Sequence, residues 1–418
     1  MQTSKVAIVI VTWNKKAFVL ELLDSLQHLN YPNHDVIVVD NCSTDQTIDA
    51  ILEHFPDTII INNPENTGGA GGFNKGLQFA QDNEYPYCWL LDNDVIVDKD
   101  ALMYLVDTLD HTPDASICGS QILINGSEII QECGGNINWR KSNVILNKHG
   151  QIRVIEPSPD TILEVDYCAA CSMLVRMSDV NKYGKIDPDM FIFWDDIEWS
   201  TRIKSYGKQV LCNPNSVVWH HFNGYKPSTA WRVYYRIRNK FYFFNKYSKS
   251  KNTLPLLLNI YEELSVLYKH LHIYDFAFAV DSAIFDFKNN IRGKWQMQNI
   301  SPQVSFISEI DTIPLNNYFV IYDHAYGSLN SNSFQENTTH NVISNQLTLT
   351  TLVQTLFRLT FQPSIAVGNQ LNLFMLFSNF AILLVEEGTR IIQNNKAKNL
   401  LFISYRLGVF VWKRLIAK

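Results

Sequence analysis

Residues 6–14 read VAIVIVTWN: six consecutive apolar positions, most of them β-branched, ending on a threonine and an asparagine. An apolar run without alternation is a strand covered on both faces, the kind found in parallel sheets. At this length it is too short for a signal peptide or a membrane span. Working outward, residues 18–29 have helical spacing and 36–40 form a second strand. A helix follows at 44–54, a third strand at 58–62, a helix near 73–81 and a fourth strand at 87–91. Strands alternating with helices of this length predict an α/β fold with a mainly parallel sheet, which takes its ligands at the carboxyl ends of the strands. Polar residues fall at those ends: Thr12 and Asn14, then Asp40 and Asn41, then Asn66 with the glycines that follow, then Asp92, Asn93 and Asp94.

The stretch NPENTGGAGGFNKGL, residues 63–77, places Gly68, Gly69, Gly71 and Gly72 within five positions. Missing Cβ atoms let a phosphate or another backbone approach closely. Two phosphate-binding templates fail here. The dinucleotide fingerprint needs a third glycine where Asn74 stands, and the P-loop needs a lysine where Leu77 stands. In LLDNDVIV, residues 90–97, Asp92 and Asp94 are a carboxylate pair just past a buried strand, suited to Mg2+ or Mn2+ bridging phosphate oxygens. Asp40 and Asp92 are polar groups available to a base and a ribose.

Two further clusters carry chemistry. MFIFWDDIEWSTRI, residues 190–203, crowds Asp195, Asp196 and Glu198 between Trp194 and Trp199. Mutual repulsion and burial beside indoles raise a carboxyl pKa, as a general base requires, and the rings offer apolar faces to a sugar. VVWHHFNGY, residues 217–225, supplies His220 and His221 as candidates for a third metal ligand.

The chain has 418 residues, 46% hydrophobic and 18% charged, with a net charge of −6, which argues against a general nucleic-acid binder. Locally the balance inverts. Residues 226–251 hold eight Lys or Arg and no acid, and residues 396–418 hold six and none, so an anionic partner or membrane surface is expected on one side. All seven cysteines precede Asn213, an odd number that predicts reduced thiols in a cytoplasmic setting. Cys168 and Cys171 have no second pair or nearby histidine in sequence and read as small packed residues.

Taken in order, I-V-I-V-T-W-N, V-V-D-N-x-S-x-D, N-x-G-G-A-G-G-F, D-N-D, W-D-D-x-E, W-H and W-R-V-Y-Y-R-I-R-N resemble family 2 glycosyltransferases of the GT-A fold, over roughly residues 5–247. Within that group the glycine loop, W-D-D-x-E, W-H and W-x-x-Y-x-x-x-R-N resemble the galactofuranosyltransferases that use UDP-galactofuranose. The resemblance implies that Thr12, Asn14 and Asp40 hold the uridine and that the Asn66–Gly72 backbone lies along the diphosphate. It implies Asp92 at the ribose or a metal-bound water, and Asp94 and His220 on a divalent metal. Asp196 becomes the base, with Asp195 and Glu198 on sugar hydroxyls. Trp231, Tyr234, Arg238 and Asn239 match the family's closing helix, near the diphosphate or acceptor. Cys168-Ala169-Ala170 stands where some members carry a tryptophan pair, a departure at the acceptor pocket.

The expectation is therefore a GT-A type, Rossmann-like catalytic domain over residues 1–250 and a mainly helical accessory region over 251–418. The reaction expected is inverting, dependent on Mn2+ or Mg2+, and moves a sugar from UDP to a hydroxyl of a glycan or lipid-linked precursor of a surface polysaccharide. A rhamnosyltransferase using a dTDP-sugar and a nucleotide-sugar-binding scaffold without turnover are the rival readings. The basic, aromatic stretch 398–418 suits a helix lying on an anionic membrane at the inner face of a bacterial plasma membrane. An oligomer is compatible with the sequence.

Overall fold

Strands β1 (Val6–Thr12), β2 (His34–Asp40), β3 (Ile59–Asn62) and β4 (Tyr87–Asp92) lie parallel in the order β3-β2-β1-β4. Helices α1 (Lys16–Leu26), α2 (Thr47–His54) and α3 (Gly68–Asp82) fill the connections. This is a computed structural model, and it describes residues 3–153, 162–221, 229–270 and 273–296. The unbroken apolar run of β1 is explained by cover on both faces. Val6, Ile8 and Ile10 pack with Leu22 and Leu26 of α1, while Ala7 and Val9 pack with Phe73 and Leu77 of α3. Each such Val or Ile, fully withdrawn from water, contributes about 1.5–3 kcal/mol.

Past β4 the sheet changes character. The chain continues through β5 (Val95–Val97), α4 (Ala101–His111), β6 (Ala115–Ile124), β7 (Ile130–Glu132), the hairpin β8 (Gly135–Asn138) and β9 (Asn143–Leu146), and β10 (Leu163–Glu164). Then come β11 (Ser172–Arg176), α5 (Met177–Tyr183), α6 (Asp195–Ser205) and β12 (Gln209–His220). β11 inserts antiparallel between β4 and β6, and β12 runs parallel to β6. β5 and β10 pair antiparallel with β12, and β7 with β6, giving ten strands in one sheet. This half reads poorly in sequence because its neighbours in space are distant along the chain.

Helix α3 begins at Gly68, not near residue 73: the glycines are its first turn rather than a loop ahead of it. A Cβ on Gly72 would stand 2.5 Å from Val11 Cγ1, and one on Gly76 2.1 Å from Val9 Cγ1, so these glycines let the helix lie directly on β1. Gly68, at φ +72°, is held against the carbonyl of Phe191, which a Cβ would meet at 2.2 Å.

Helices α7 (Ala230–Tyr247), α8 (Thr253–His270) and α9 (Tyr274–Lys288) form a layer of their own. α8 and α9 pack onto α7 across residue 250: Tyr234 of α7 bonds Asp286 of α9, and Phe241 meets Tyr261 and Phe287. Among the described residues no helix is long and apolar enough to cross a membrane. The basic, aromatic stretch 398–418, and the accessory region expected at 251–418 from residue 297 on, fall outside the described residues.

Candidate active site

Sheet pairing, not sequence proximity, assembles the site. β5 pairs with β12 so that Val95 faces His220, and the backbone of His221 donates to the Asp94 carbonyl at 2.9 Å. Asp94 Oδ1 therefore sits 3.2 Å from His220 Nε2, although 126 positions separate them in sequence. The other ring nitrogen, Nδ1, lies 2.9 Å from Gln131 Oε1. An amide oxygen there accepts Nδ1–H and turns Nε2 toward the carboxylates, the orientation a metal-ligating imidazole needs. His221 turns the other way, with Nε2 2.8 Å from Glu21 and its ring on Phe18.

Asp92, at the end of β4, is half-buried, and burial together with the Asp94 charge pushes its carboxyl up, against the opposing pull of His220. Burial would also raise Asp94, but its bond to His220 more than offsets this and holds Asp94 below the usual range. Burial lowers His220, and Asp94, Asp92 and Glu132 raise it further than burial lowers it. An oxygen of Asp92, the sulfur of Cys171 and a nitrogen of His220 all lie within 4.8 Å of one another. A crowd of carboxylates around one imidazole, with Lys15 acting on Asp94, suits a divalent metal ion. The residues fit one.

The second component is the turn before α6. Phe191, Phe193 and Trp194 all have φ between +63° and +66°, a conformation that costs non-glycine residues about 1–3 kcal/mol each. The turn persists because α7 clamps it. Asn239 Nδ2 donates to the carbonyls of Met190, Ile192 and Phe193 at 2.8–2.9 Å, and Arg238 Nη2 donates to those of Asp189 and Met190. The clamp delivers Asp195 and Asp196 to the start of α6. Burial and the neighbouring Asp196 charge raise the carboxyl of Asp195. Burial, then the charge of Glu132, raises Asp196, against the N–H groups of Ile197 and Ala170.

Several residues expected to touch substrate do something else. Arg238 and Asn239 are fully buried and serve the clamp. Tyr234 is fully buried too, stacked on Trp295 at 4.3 Å. Glu198 is sealed: Arg202 Nε at 3.2 Å, Lys246 Nζ at 2.8 Å and the Tyr247 hydroxyl at 2.6 Å occupy its oxygens, and at about 100° per residue it stands about 200° around the helix from Asp196. Trp199 lies in the core, donating to the Gly184 carbonyl, and Trp194 packs on Phe243 and Phe244. The open aromatic surface is Trp231 instead, 38% exposed and stacked on Phe193 at 6.1 Å.

On the donor side, Thr12 is fully buried and receives Asn93 Nδ2 on its hydroxyl at 3.3 Å. Asn14 is exposed, and its side-chain oxygen is taken by the Thr44 amide at 2.7 Å. Asn66 caps the Gly68 amide at 2.8 Å, and the Ala70 amide bonds Phe191 O, so two of the first N–H groups of α3 are already spent on protein. The side of Gly71 where a Cβ would sit is filled by Thr67, whereas Gly69 faces open space. Asp40 is 5% exposed; its Oδ2 accepts from Ser43 N, and its Oδ1 has no hydrogen-bond partner. A buried lone acceptor at a strand end is an incomplete hydrogen-bond set.

Two residues at the site were not legible. Glu132 ends the three-residue strand β7 and is 6% exposed; burial pushes its carboxyl up to about 7, partly offset by its bond from Tyr167. Cys171 precedes β11. Glu132 stands in no motif, Cys171 reads in sequence only as a packed residue, and the antiparallel half of the sheet brings both in.

Residues 7–181 match the model of Glycosyl transferase family 2. The match covers the parallel half of the sheet together with β5 to β11, so the N-terminal part of the chain is similar to family 2 glycosyltransferases. The chain is 25% identical over 217 residues to poly-beta-1,6-N-acetyl-D-glucosamine synthase of Staphylococcus aureus, covering 51% of this chain and 49% of that protein. It is 23% identical over 221 residues to the synthase of the same name from Staphylococcus epidermidis, covering 52% and 50%. The chain spans about half the length of the curated relatives it matches. Among solved structures it is similar to the mannosyltransferase PcManGT of Pyrobaculum calidifontis in complex with GDP-Man and Mn2+, with TM-score 0.42, 17% identity and 73% and 79% of the two chains covered. It is also similar to GalNAc-T7 with UDP, GalNAc and Mn2+, with TM-score 0.46, 16% identity and 69% and 58% covered.

Proposed function

We propose that this protein is an inverting, metal-dependent glycosyltransferase that moves a sugar, galactofuranose by the motif resemblance, from UDP to a hydroxyl of a glycan or lipid-linked acceptor in surface polysaccharide synthesis. The observation that carries this reading is the meeting of Asp92, Asp94 and His220 beside Asp195 and Asp196, in a domain matching family 2. Asp92, Asp94 and His220 would hold Mn2+ or Mg2+. A bound divalent ion supplies charge neutralisation for the departing diphosphate. Asp40 Oδ1, buried without a partner, is placed to accept from the base of a nucleotide. Gly69 leaves backbone open to phosphate oxygens, and Trp231 with Phe193 offers the apolar face for a sugar ring. Asp196, half-buried and with its carboxyl raised toward neutrality, takes the proton of the acceptor hydroxyl as that oxygen attacks in line. Asp195 orients hydroxyls beside it. Inversion follows from a single displacement with no enzyme-bound glycosyl intermediate.

A second donor reading is UDP-N-acetylglucosamine, favoured by the two relatives named as poly-N-acetylglucosamine synthases. Protection from thermal unfolding by a panel of nucleotide sugars with Mn2+ present separates the two. UDP-galactofuranose is expected to protect most. Stronger protection by UDP-N-acetylglucosamine would replace the donor, and protection by dTDP-rhamnose alone would replace the nucleotide as well.

A further inference from the structure

The sequence makes Cys171 half of an unremarkable C-x-x-C pair, and most thiols of this chain are packing residues: Cys88 and Cys118 sit in the cores on the two faces of the sheet. Cys171 packs in the same core as Cys118 but in addition borders the site. The Asp92 amide donates to the Cys171 carbonyl at 3.3 Å, and β11 pairs with β4 starting at Ser172 opposite Leu91, so the sheet itself fixes residue 171 beside the end of β4. Its sulfur lies within 4.8 Å of both an Asp92 oxygen and a His220 nitrogen. Burial first, and then the charges of Asp92, Asp94, Glu132 and Asp196, hold this thiol well above its ordinary value, so without a cation it stays protonated.

We propose that Cys171 is a thiol ligand of the divalent-cation centre, and that it makes this centre take thiophilic cations (Zn2+, Co2+ or Cd2+) more tightly than Mg2+, through sulfur, nitrogen and oxygen together. The proposal rests on the reading of Asp92 and His220 as metal ligands. Mg2+ demands oxygen ligands in near-octahedral array, whereas Zn2+ and Co2+ accept thiolate with imidazole and carboxylate. Bonds of about 2.3 Å to sulfur and about 2.0 Å to nitrogen put tetrahedral ligand atoms roughly 3.5 Å apart. The three atoms here therefore need to close by at most about 1 Å, a side-chain adjustment. Gln131 holds the imidazole through Nδ1, with Nε2, 3.2 Å from Asp94 Oδ1, turned toward the carboxylates. The step is coordination without redox change: a sulfur–metal bond forms, the S–H bond breaks, and the proton goes to solvent.

The test is titration of the metal-stripped full-length protein with Co2+ alone, followed by absorption. A thiolate-to-cobalt charge-transfer band should grow in the near ultraviolet to a stoichiometric end point. In Cys171→Ser that band should vanish while the visible ligand-field bands remain, with Kd raised at least about tenfold. Visible bands without charge transfer in the unmodified protein would overturn the thiol ligand and leave the metal centre standing. Failure of the unmodified protein to bind Co2+ would overturn both. A charge-transfer band that survives in Cys171→Ser belongs to another thiol and also overturns the proposal. Cadmium NMR of the unmodified protein gives the answer independently of any variant: a resonance in the thiolate range supports it, and one in the range of oxygen and nitrogen ligands contradicts it.

Discussion

The first turn of α6 carries three carboxylates in four positions, and they end in two unlike regions. Asp195 and Asp196 face a pool whose other members, Asp92 and Glu132, are themselves acids, and all four carboxyls are pushed upward. Glu198 faces Arg202, Lys246 and Tyr247 and is completely sealed. The chemistry of the side chain is the same in both places. What differs is whether the protein itself supplies the countercharge. Where it does, the acid is structure; where it withholds it, the site is left to be completed by a cation and substrate.

The largest expected effect comes from the open region. Asp196→Asn keeps shape and removes basicity, so turnover should fall by about 10²–10⁴-fold while donor affinity, measured by calorimetry, stays within a few-fold. Near-normal turnover in this variant would remove Asp196 as the base. The sealed region should answer in stability instead. Glu198→Ala leaves Arg202, largely buried, with the Tyr183 and Lys185 carbonyls but no countercharge and should cost about 3–5 kcal/mol in denaturant unfolding. If Glu198→Ala folds normally and loses only turnover, the contrast between the regions collapses.

The pH dependence of stability sharpens the same contrast. Glu132 rises from 4.5 to about 7 on folding, so between those values the folded state binds a proton that the unfolded chain has released. Its contribution is therefore fully present below pH 4.5 and is lost as pH rises toward about 7, at about 1.4 kcal/mol per pH unit. Metal-stripped Glu132→Gln should lack that slope across this window in unfolding experiments repeated at several pH values. A wild-type slope of opposite sign, with the Gln variant unchanged, would contradict it.

The clamp gives the smallest effect. Asn239→Ala removes three bonds to the strained turn and should lower stability by about 1–3 kcal/mol, with kcat reduced more than KM because the Asp pair loses its placement rather than its chemistry. A rise in KM with kcat intact would instead return Asn239 to the substrate-binding role that its motif implied.

The parallel half of the sheet was legible because each of its strands is a hydrophobic run that stops at a polar residue, and the run 6–11 needs no distant partner to be read. The D-x-D and W-D-D clusters were legible as chemistry for the same local reason. The glycines were legible as close contact but not as contact with what: Gly72 and Gly76 admit β1, and Gly68 admits Phe191. Arg238 and Asn239 sit in a motif beside the site, yet sequence gives no burial, and burial turned them from ligand contacts into the clamp. Glu132 was invisible, and Cys171 was legible only as a packed residue, because antiparallel pairing of β7 on β6 and of β11 on β4 brings them in, and no local pattern encodes such a register.

The central claim is that this cluster of acids awaits a divalent ion together with a nucleotide diphosphate. UDP binding to the metal-stripped protein, measured by calorimetry with and without Mn2+, tests it most directly. Affinity should strengthen at least about tenfold with Mn2+, and Asp94→Ala and His220→Ala should abolish that gain while remaining folded. Equal UDP affinity in Mn2+ and in EDTA, with both variants behaving like the unmodified protein, would contradict it.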